Sequence, residues 1–414
     1  MNIKHFFSNT IKITIIAFIV LLLVAIGVKY QQPLNDWNNS TIKGEKKKSF
    51  ANLYLNNYSP TSETWNLKDK MGEQAMVTNQ YGREVSLGGL ITGTNTTENS
   101  IKVAFNSGLI LHLSDDGDLI NRIDTTPFLE DFTLEKSNGG VRAALWLNDD
   151  LVFIYYTASN TTKDKFKIRA AIVDIKQNKS IDNIELGKFD LNEHYALGGG
   201  IDYDVVNNRV VLAIGAASGT DDTKTSSKAQ DDSNLFGKIV GINLNIKKTK
   251  LSPPTIISKG HRNPQGLTLF NKKIYAVEHG PKGGDELNLI SQNGNYGWNN
   301  FSYGTKYIKP DEEYNRSSNK YIEPIYYFTP SIGISDVSKC PEIFSDPGYK
   351  NCLLISSMRD GSFYLSKFNP DQSYIQSMER VNLGSRIRKI EGFKNSVYLF
   401  TDNQSIVKIS YSKL

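Results

Sequence analysis

His261–Trp298 reads HRNPQGLTLFNKKIYAVEHGPKGGDELNLISQNGNYGW, and the phrase at its centre, FNKKIYAVEHG (Phe270–Gly280), decides the fold because the chain repeats its pattern. In each copy a turn with Asn or Asp leads into a short β-branched or aromatic strand. The other copies are FNSGLILHLS (Phe105–Ser114), LNDDLVFIYYT (Leu147–Thr157), VNNRVVLAIGA (Val206–Ala216), YKNCLLISSMR (Tyr349–Arg359) and FKNSVYLFTDN (Phe393–Asn403). A second strand-like run follows each, such as GKIVGINLN after the third and SIVKISY after the last. No long amphipathic helical period interrupts them. Six repeats of a few short strands, joined by variable loops, predict an all-β fold, a six-bladed β-propeller over residues 85–414. The last strand, around Ile406 to Tyr411, is expected to pair with an N-terminal strand and close the ring.

Composition narrows the class. With 39% hydrophobic and 22% charged residues among 414, the chain has the make-up of a soluble domain with a full core. A net charge of +5 and no basic run beyond Lys46-Lys47-Lys48 argue against a nucleic-acid partner. The first 28 residues stand apart, because Lys4, His5 and Lys12 precede an apolar run from Ile13 to Val28. That run is shorter than the ~20 residues usual for a spanning helix and long for a signal-peptide core. No small-x-small cleavage site follows it. Residues 1–28 therefore predict an uncleaved transmembrane signal-anchor in the inner membrane, with the rest exported to the periplasm. The alternative is secretion after cleavage. Residues 29–84, rich in Asn, Lys, Ser and Thr, predict a polar tether and an N-terminal flap. Cys340 and Cys352 are the two cysteines. In an exported chain they are expected to form a disulfide, the alternative being two buried thiols.

The Arg-Asn-Pro-Gln-Gly turn, the Gly-Pro-Lys-Gly-Gly-Asp-Glu loop and the Asn-Tyr-Gly-Trp turn of His261–Trp298 put a cation, amides and carboxylates at one rim of a rigid sheet. Ligands bind at such rims. In GSRIRKIEGF, Arg386 and Arg388 alternate, which puts both guanidinium groups on one face of a strand. These segments resemble the soluble quinoprotein glucose/sorbosone (aldose sugar) dehydrogenases. The resemblance covers roughly residues 95–414, is densest at 260–298, and includes AQDDSNLFGKIVGINL (Ala229–Leu244) as a strand entry.

The resemblance implies pyrroloquinoline quinone (PQQ) and Ca²⁺ as cofactors. Arg262 and Asn263 would contact PQQ beside its reactive carbonyl, and Arg386 and Arg388 would bind its carboxylates. Ser331 in FTPSIG would supply a hydroxyl. Arg359 in SSMRDGSFY stands where the family usually has Lys, and Asn138 in SNGGVRAALW where it has Gln, an amide of longer reach. The carbonyls of Gly280 and Pro281 would hold the cofactor calcium, and Glu286 with the main chain at Tyr296 a second, structural one. Of the five histidines, His5, His112, His194, His261 and His279, the resemblance makes His194 in NEHYALGGGIDYD the general base. It lies about two residues further from the aligned glycines than in the family, and Gly200 replaces the usual Arg. The implied reaction oxidises the anomeric carbon of an aldose to a lactone by hydride transfer to the quinone, with a cytochrome or membrane quinone as external electron acceptor. The departures at His194, Asn138 and Arg359 keep open a non-catalytic calcium-binding propeller acting as an envelope binding protein. A calcium-only lyase or lactonase would leave the Arg-Asn and Arg-x-Arg pairs without a purpose.

Overall fold

Six inner strands, Ile91–Thr96, Val141–Trp146, Gly198–Asp204, Pro264–Phe270, Ile334–Lys339 and Ile387–Phe393, surround one axis in the computed structural model. Each begins a blade whose further strands step outward, antiparallel in turn except for Gly294–Asn295, which adds parallel to the edge of blade 3. Neighbouring inner strands touch all the way round, the sixth returning to the first. This is the expected six-bladed β-propeller. The structure describes residues 58–71, 76–78, 84–86, 89–134, 139–160, 165–190, 195–217, 226–307, 314–316, 319–344 and 350–414. The expected signal-anchor at 1–28, the tether up to residue 57, Asn138 and His194 lie outside them. No helix among the described residues is long and apolar enough to cross a membrane. Residues 49–381 and 385–414 form one unit. Residues 1–48 and 382–384 form another, of which Asn382–Gly384 is described, a turn in which the Gly384 amide donates to the Asn382 side chain at 2.9 Å.

The repeated phrase is apolar along its length because of where it sits. The second strand of blade 2, Leu151–Ser159, is buried at all nine positions. A strand in the middle of a sheet that is itself flanked by two other blades has both faces covered, so alternation disappears. Five of the six phrases mark such second strands: Leu151–Ser159, Arg209–Ile214, Lys273–Glu278, Cys352–Ser357 and Ser396–Thr401. The first does not. FNSGLILHLS marks Leu109–Ser114, the third strand of blade 1, whose second strand is Ser100–Phe105.

The core consists of seams between blades. One joins Phe153, Tyr155 and Ile168 of blade 2 to Leu212 and Ile242 of blade 3, all at most 1% exposed. Another joins Ile101, Val103 and Leu111 of blade 1 to Phe400 and Ile406 of blade 6. Each large side chain withdrawn there stabilises the fold by roughly 1.5–3 kcal/mol. Close to the axis, side chains give way to glycine: a Cβ on Gly266 would stand 2.6 Å from Asp336 Cα in the next inner strand. Carboxylates then tie blade to blade. Asp202 accepts from the Leu269 amide at 2.7 Å, and Asp336 from the Ile390 amide at 3.1 Å and from Lys389 Nζ at 3.2 Å.

Blade 6 takes its outermost strand from the other end of the chain. Tyr58–Asn66, part of the stretch read as a flap, pairs antiparallel with Ser405–Lys413 from Tyr58↔Lys413 to Asn66↔Ser405. Cys340 and Cys352 are joined in a disulfide, with Cα atoms 5.5 Å apart, where blade 5 turns from its first strand to its second.

Candidate functional site

Every inner strand starts on the same side of the ring, and every second strand runs back to that side. The loops entering the inner strands and the loops leaving the second strands therefore share one rim. Arg262, Asn263, Ser331, Arg386, Gly280, Pro281 and Arg359 all fall in such loops, and Arg388 lies one residue inside its strand.

On the blade 4 side, Arg262 is fixed at both ends. Its amide donates to Glu278 Oε2 at 2.7 Å, and its Nη1 donates to the carbonyls of His279 (3.3 Å) and Gly280 (3.0 Å). The guanidinium carbon lies 5.2 Å from the centre of the Trp298 ring. Glu278 is in turn held by His261 Nδ1 at 2.9 Å, and His261 Nε2 lies 2.9 Å from Ser258 Oγ. A Ser-His-Glu chain has the connectivity of a hydrolytic triad. Here Ser258 is 1% exposed and His261 0%, and the imidazole stacks on Tyr296, so no substrate reaches the hydroxyl. The chain is a strut that orients Glu278 and, through it, Arg262.

Asn263 Oδ1 accepts from the Gly198 amide at 3.2 Å, joining blade 4 to blade 3. Asp285 joins blade 4 to blade 5, accepting from the amides of Gly280 (3.1 Å), Gly333 (2.7 Å) and Ile334 (3.0 Å). Burial opposes its charge, but the His279 ring, the Ser331 hydroxyl and the Ile334 amide together hold its pKa at about 2. Beneath them Glu286 is pushed well above the usual carboxylate range, by burial and by Glu278 beside it. Asn288 donates to both carboxylates, at 2.9 Å to Glu278 and 3.2 Å to Glu286. A cavity of about 10 Å³ touches Glu278, Glu286, Gly280 and Tyr296. That is room for one water or one ion. Among the described residues no three His, Cys, Asp or Glu side chains are placed to hold a metal. A cation here must therefore draw on main-chain carbonyls as well. Gly280 O already accepts from Arg262 and Pro281 O from the Tyr307 hydroxyl, which leaves each carbonyl a second lone pair.

The opposite side of the rim is cationic. Asp402 receives Arg386 Nε at 2.8 Å, Arg388 Nε at 2.8 Å and Arg388 Nη2 at 3.1 Å. Arg386 precedes the strand and the register shifts between Ile387 and Lys389, so it is the shared partner rather than strict alternation that brings the two guanidinium groups together. Burial works against the Asp402 charge, and the two guanidinium groups outweigh it, holding the carboxyl below its usual range. Arg386 Nη2 also approaches Met358 Sδ at 3.6 Å. Its neighbour Arg359 lines, with Ser331, Tyr303 and Tyr326–Phe328, a groove of about 880 Å³ that leaves the rim between blades 4 and 5.

Two residues of this rim are not evident from motif. Asp402 is the last residue but one of the sixth phrase and gains its meaning only where two turns meet. Arg142 is a single charge in the apolar strand Val141–Trp146, and its Nη2 donates to Gly198 O at 3.0 Å. Hydrogen bonds link Asn263 through Gly198 to Arg142. A second series of contacts runs from Arg388 through Asp402 and Arg386 to Met358 and the chain at Gly333, and through Asp285 back to Gly280 and Arg262. The rim carries acids as well as arginines: Asp402 compensates two of the arginines, and blade 4 carries Glu278, Asp285 and Glu286.

The family model described as Glucose / Sorbosone dehydrogenase matches residues 94–408. The Escherichia coli (strain K12) protein named aldose sugar dehydrogenase YliI is 29% identical over 200 residues, 44% of this chain and 53% of that protein. The chain spans about half the length of the curated relatives it matches. Among solved structures, the apo form of the soluble aldose sugar dehydrogenase from Escherichia coli has a TM-score of 0.64 at 19% identity, covering 86% of this chain and 100% of that chain. The PQQ-bound form of an aldose sugar dehydrogenase from Streptomyces coelicolor has a TM-score of 0.57 at 15% identity, covering 85% and 99%. At these identities the two structures bear on fold alone.

Proposed function

Because the chain belongs to the glucose / sorbosone dehydrogenase family, we propose that it is a PQQ-dependent oxidoreductase that oxidises the anomeric carbon of an aldose sugar to the lactone. The observation that carries this is the polarity of the rim. Arg359, Arg386 and Arg388 stand on one side, while Gly280 O, Pro281 O, Glu278, Asp285 and Glu286 gather on the other. A ligand that is anionic at one end and bound to a metal cation at the other matches both sides, and PQQ with Ca²⁺ is such a ligand.

In this reading Arg386, Arg388, Arg359, Ser331 and Asn138 hold the carboxylates and ring edge of PQQ, with Arg262 and Asn263 at its reactive end. The Gly280 and Pro281 carbonyls take the cofactor calcium. Glu286 and the Tyr296 carbonyl, with Glu278 facing them, take a second Ca²⁺. Two buried carboxylates side by side require either a shared proton or a cation. Bound PQQ supplies the two-electron acceptor for the anomeric hydride. His194 takes the proton of the anomeric hydroxyl. Arg262, braced by Glu278 and Trp298, presents fixed donors where negative charge develops. The groove beside Arg359 admits the sugar. Electrons then pass to an external cytochrome or quinone, and residues 1–28 anchor the exported enzyme to the inner membrane.

The test is spectroscopic. Apo-protein titrated with PQQ and Ca²⁺ should develop the absorbance of bound oxidised cofactor, which aldoses then bleach. Binding without bleaching by any aldose would favour the non-catalytic propeller. Absence of binding would remove the cofactor altogether.

A further inference from the structure

We propose that the face of the propeller opposite the rim carries a membrane-surface contact at blade 3. There Val205, Val206 and Ile246 enter the headgroup layer of a bilayer, and the lysines around them meet anionic lipid. The inference does not use the cofactor assignment.

Inner strands run away from the rim, second strands return to it and third strands leave it again. The connections after first and third strands therefore lie on the far face. In blade 3 these join Gly198–Asp204 to Arg209–Ile214 and Lys238–Asn243 to Thr255–Lys259. Among the described large hydrophobic residues the four most exposed are Ile246 (97%), Leu414 (84%), Val206 (81%) and Val205 (75%), and three of the four sit on these two tips. Turns ordinarily take Gly, Pro, Asn, Asp or Ser. Single exposed apolar residues are normal on any protein, but three aliphatic side chains gathered on adjoining tips are not. The tips adjoin because Asn208 Nδ2 donates to Leu244 O at 2.9 Å and the Leu244 amide donates to Asn208 O at 3.0 Å. Both are held in shape. The Asn207 amide donates to Asp204 Oδ1 at 3.1 Å, and Ile246 and Lys247 occupy the centre of a turn closed by the Lys248 amide on Asn245 O at 2.9 Å.

The charge around the tips is positive. Lys247 and Lys250 are exposed beside Ile246, and Lys248 Nζ reaches across to Leu147 O of blade 2 at 2.8 Å. Lys176 and Lys179 are exposed where the third strand of blade 2 turns into its outermost strand. That strand meets the same tip, since Asp182 accepts from the Leu251 amide at 2.8 Å. Asp149, Asp150 and Asp182 are paired with Lys102, Lys176 and Lys250 at 3.3, 3.8 and 3.2 Å, so Lys179, Lys247 and Lys248 are a surplus among the described residues. The acids of this face lie elsewhere, Glu98, Asp115, Asp116 and Asp118 falling in the turns of blade 1. The chain also enters the fold on the far face, where Tyr58 pairs with Lys413 at the end of a third strand. A protein partner would cover about 800 Å² here, whereas the apolar surface is confined to side chains at two tips. An anionic bilayer suits them better: its headgroup layer takes aliphatic side chains at shallow depth, and its charge attracts each lysine.

The test uses the full chain with Val206→Cys carrying an environment-sensitive fluorophore, the two native cysteines being joined to each other. Ser233→Cys, exposed on the rim side of blade 3, carries the same label as a control. On phosphatidylglycerol–phosphatidylcholine vesicles the label at position 206 should shift to the blue and be shielded from aqueous acrylamide, while the label at position 233 stays as in buffer. The readout is local, so a membrane anchor elsewhere in the chain does not produce it. Adding Lys179→Gln or Lys247→Gln should lower the ratio of docked to undocked label about 5-fold for each lysine removed. A shift of the same size on phosphatidylcholine alone overturns the anionic-lipid assignment. A label at 206 that is shielded without vesicles means that another part of the chain, or a second copy, covers the tips, and overturns the proposal. So does a label exposed on both kinds of vesicle, or equal shielding at 206 and 233. If Val206→Cys does not fold, Ile246→Cys gives the same reading from the neighbouring tip.

Discussion

Asp402 shows how much of the site depends on a residue with no motif of its own. Arg386 and Arg388 stood out in the sequence as a pair of guanidinium groups at alternate spacing, and Arg262 and Asn263 through the resemblance of the segment around them. Asp402 carries no such signal. Its role arises only because the turn after the second strand of blade 6 folds over the entry to that blade's first strand. The sign of its contribution follows from its depressed pKa. The folded-state value lies below the unfolded one, near 3.9. The stability it confers is therefore fully present above the unfolded value and is lost as pH falls through the folded value. Asp402→Asn should destabilise the protein by about 1–3 kcal/mol at pH 7, the scale of hydrogen bonds to a charged group. Urea denaturation of wild type and variant at pH 7 and again near pH 3 checks this. The difference between them should shrink at the lower pH, and a difference of the same size at both would mean that the carboxylate charge is not what matters.

At the scale of elements, the recurring phrase gave the blade count through a pattern that is not the same strand each time. In blades 2 to 6 it marks the turn and second strand, the part of each sheet buried on both faces. In blade 1 it marks the third strand instead, because Ser100–Phe105 follows Thr-Thr-Glu-Asn and lacks the apolar onset of the others. The repeat could be counted without its phase being known, since burial depends on neighbours in space that the sequence does not name. The disulfide was legible for a simpler reason. Two cysteines flanking one turn have few alternatives, and the pairing of Ile334–Lys339 with Cys352–Ser357 brings their Cα atoms to 5.5 Å. With twelve residues separating them, the bond should stabilise the fold by about 3 kcal/mol in the chain-entropy model. Reduction, or Cys340→Ser with Cys352→Ser, should lower the melting temperature by several degrees. Equal melting with and without reductant would show that the rest of blade 5 already fixes the turn.

For the whole molecule, what matters is that a ring has no weak edge once it is closed, and closure here depends on the pairing of Tyr58–Asn66 with Ser405–Lys413. The sequence allowed the last strand to be identified as one half of that closure. Its partner was not legible, because YSPTSETWN is largely polar and reads as loop. The structure accounts for the polarity: six of its nine residues are exposed and Pro60 and Trp65 half-exposed, with Tyr58 alone buried, its ring centre 5.1 Å from that of Phe344. An outermost strand needs backbone pairing on one side and solvent tolerance on the other, which is a polar pattern with occasional anchors. A chain beginning at residue 58 should therefore fold and melt as the longer chain does. One beginning at residue 67 leaves Ser405–Lys413 as an open edge, and with it the blade that carries Arg386, Arg388 and Asp402. That shorter chain should aggregate on heating and bind PQQ more weakly, even though Tyr58–Asn66 supplies none of the rim residues named above. Light scattering during thermal ramps and PQQ titration of the two truncations test this together. If both bind PQQ alike and melt alike, the outer strand is dispensable, and the seam between blades 6 and 1 alone holds the ring shut.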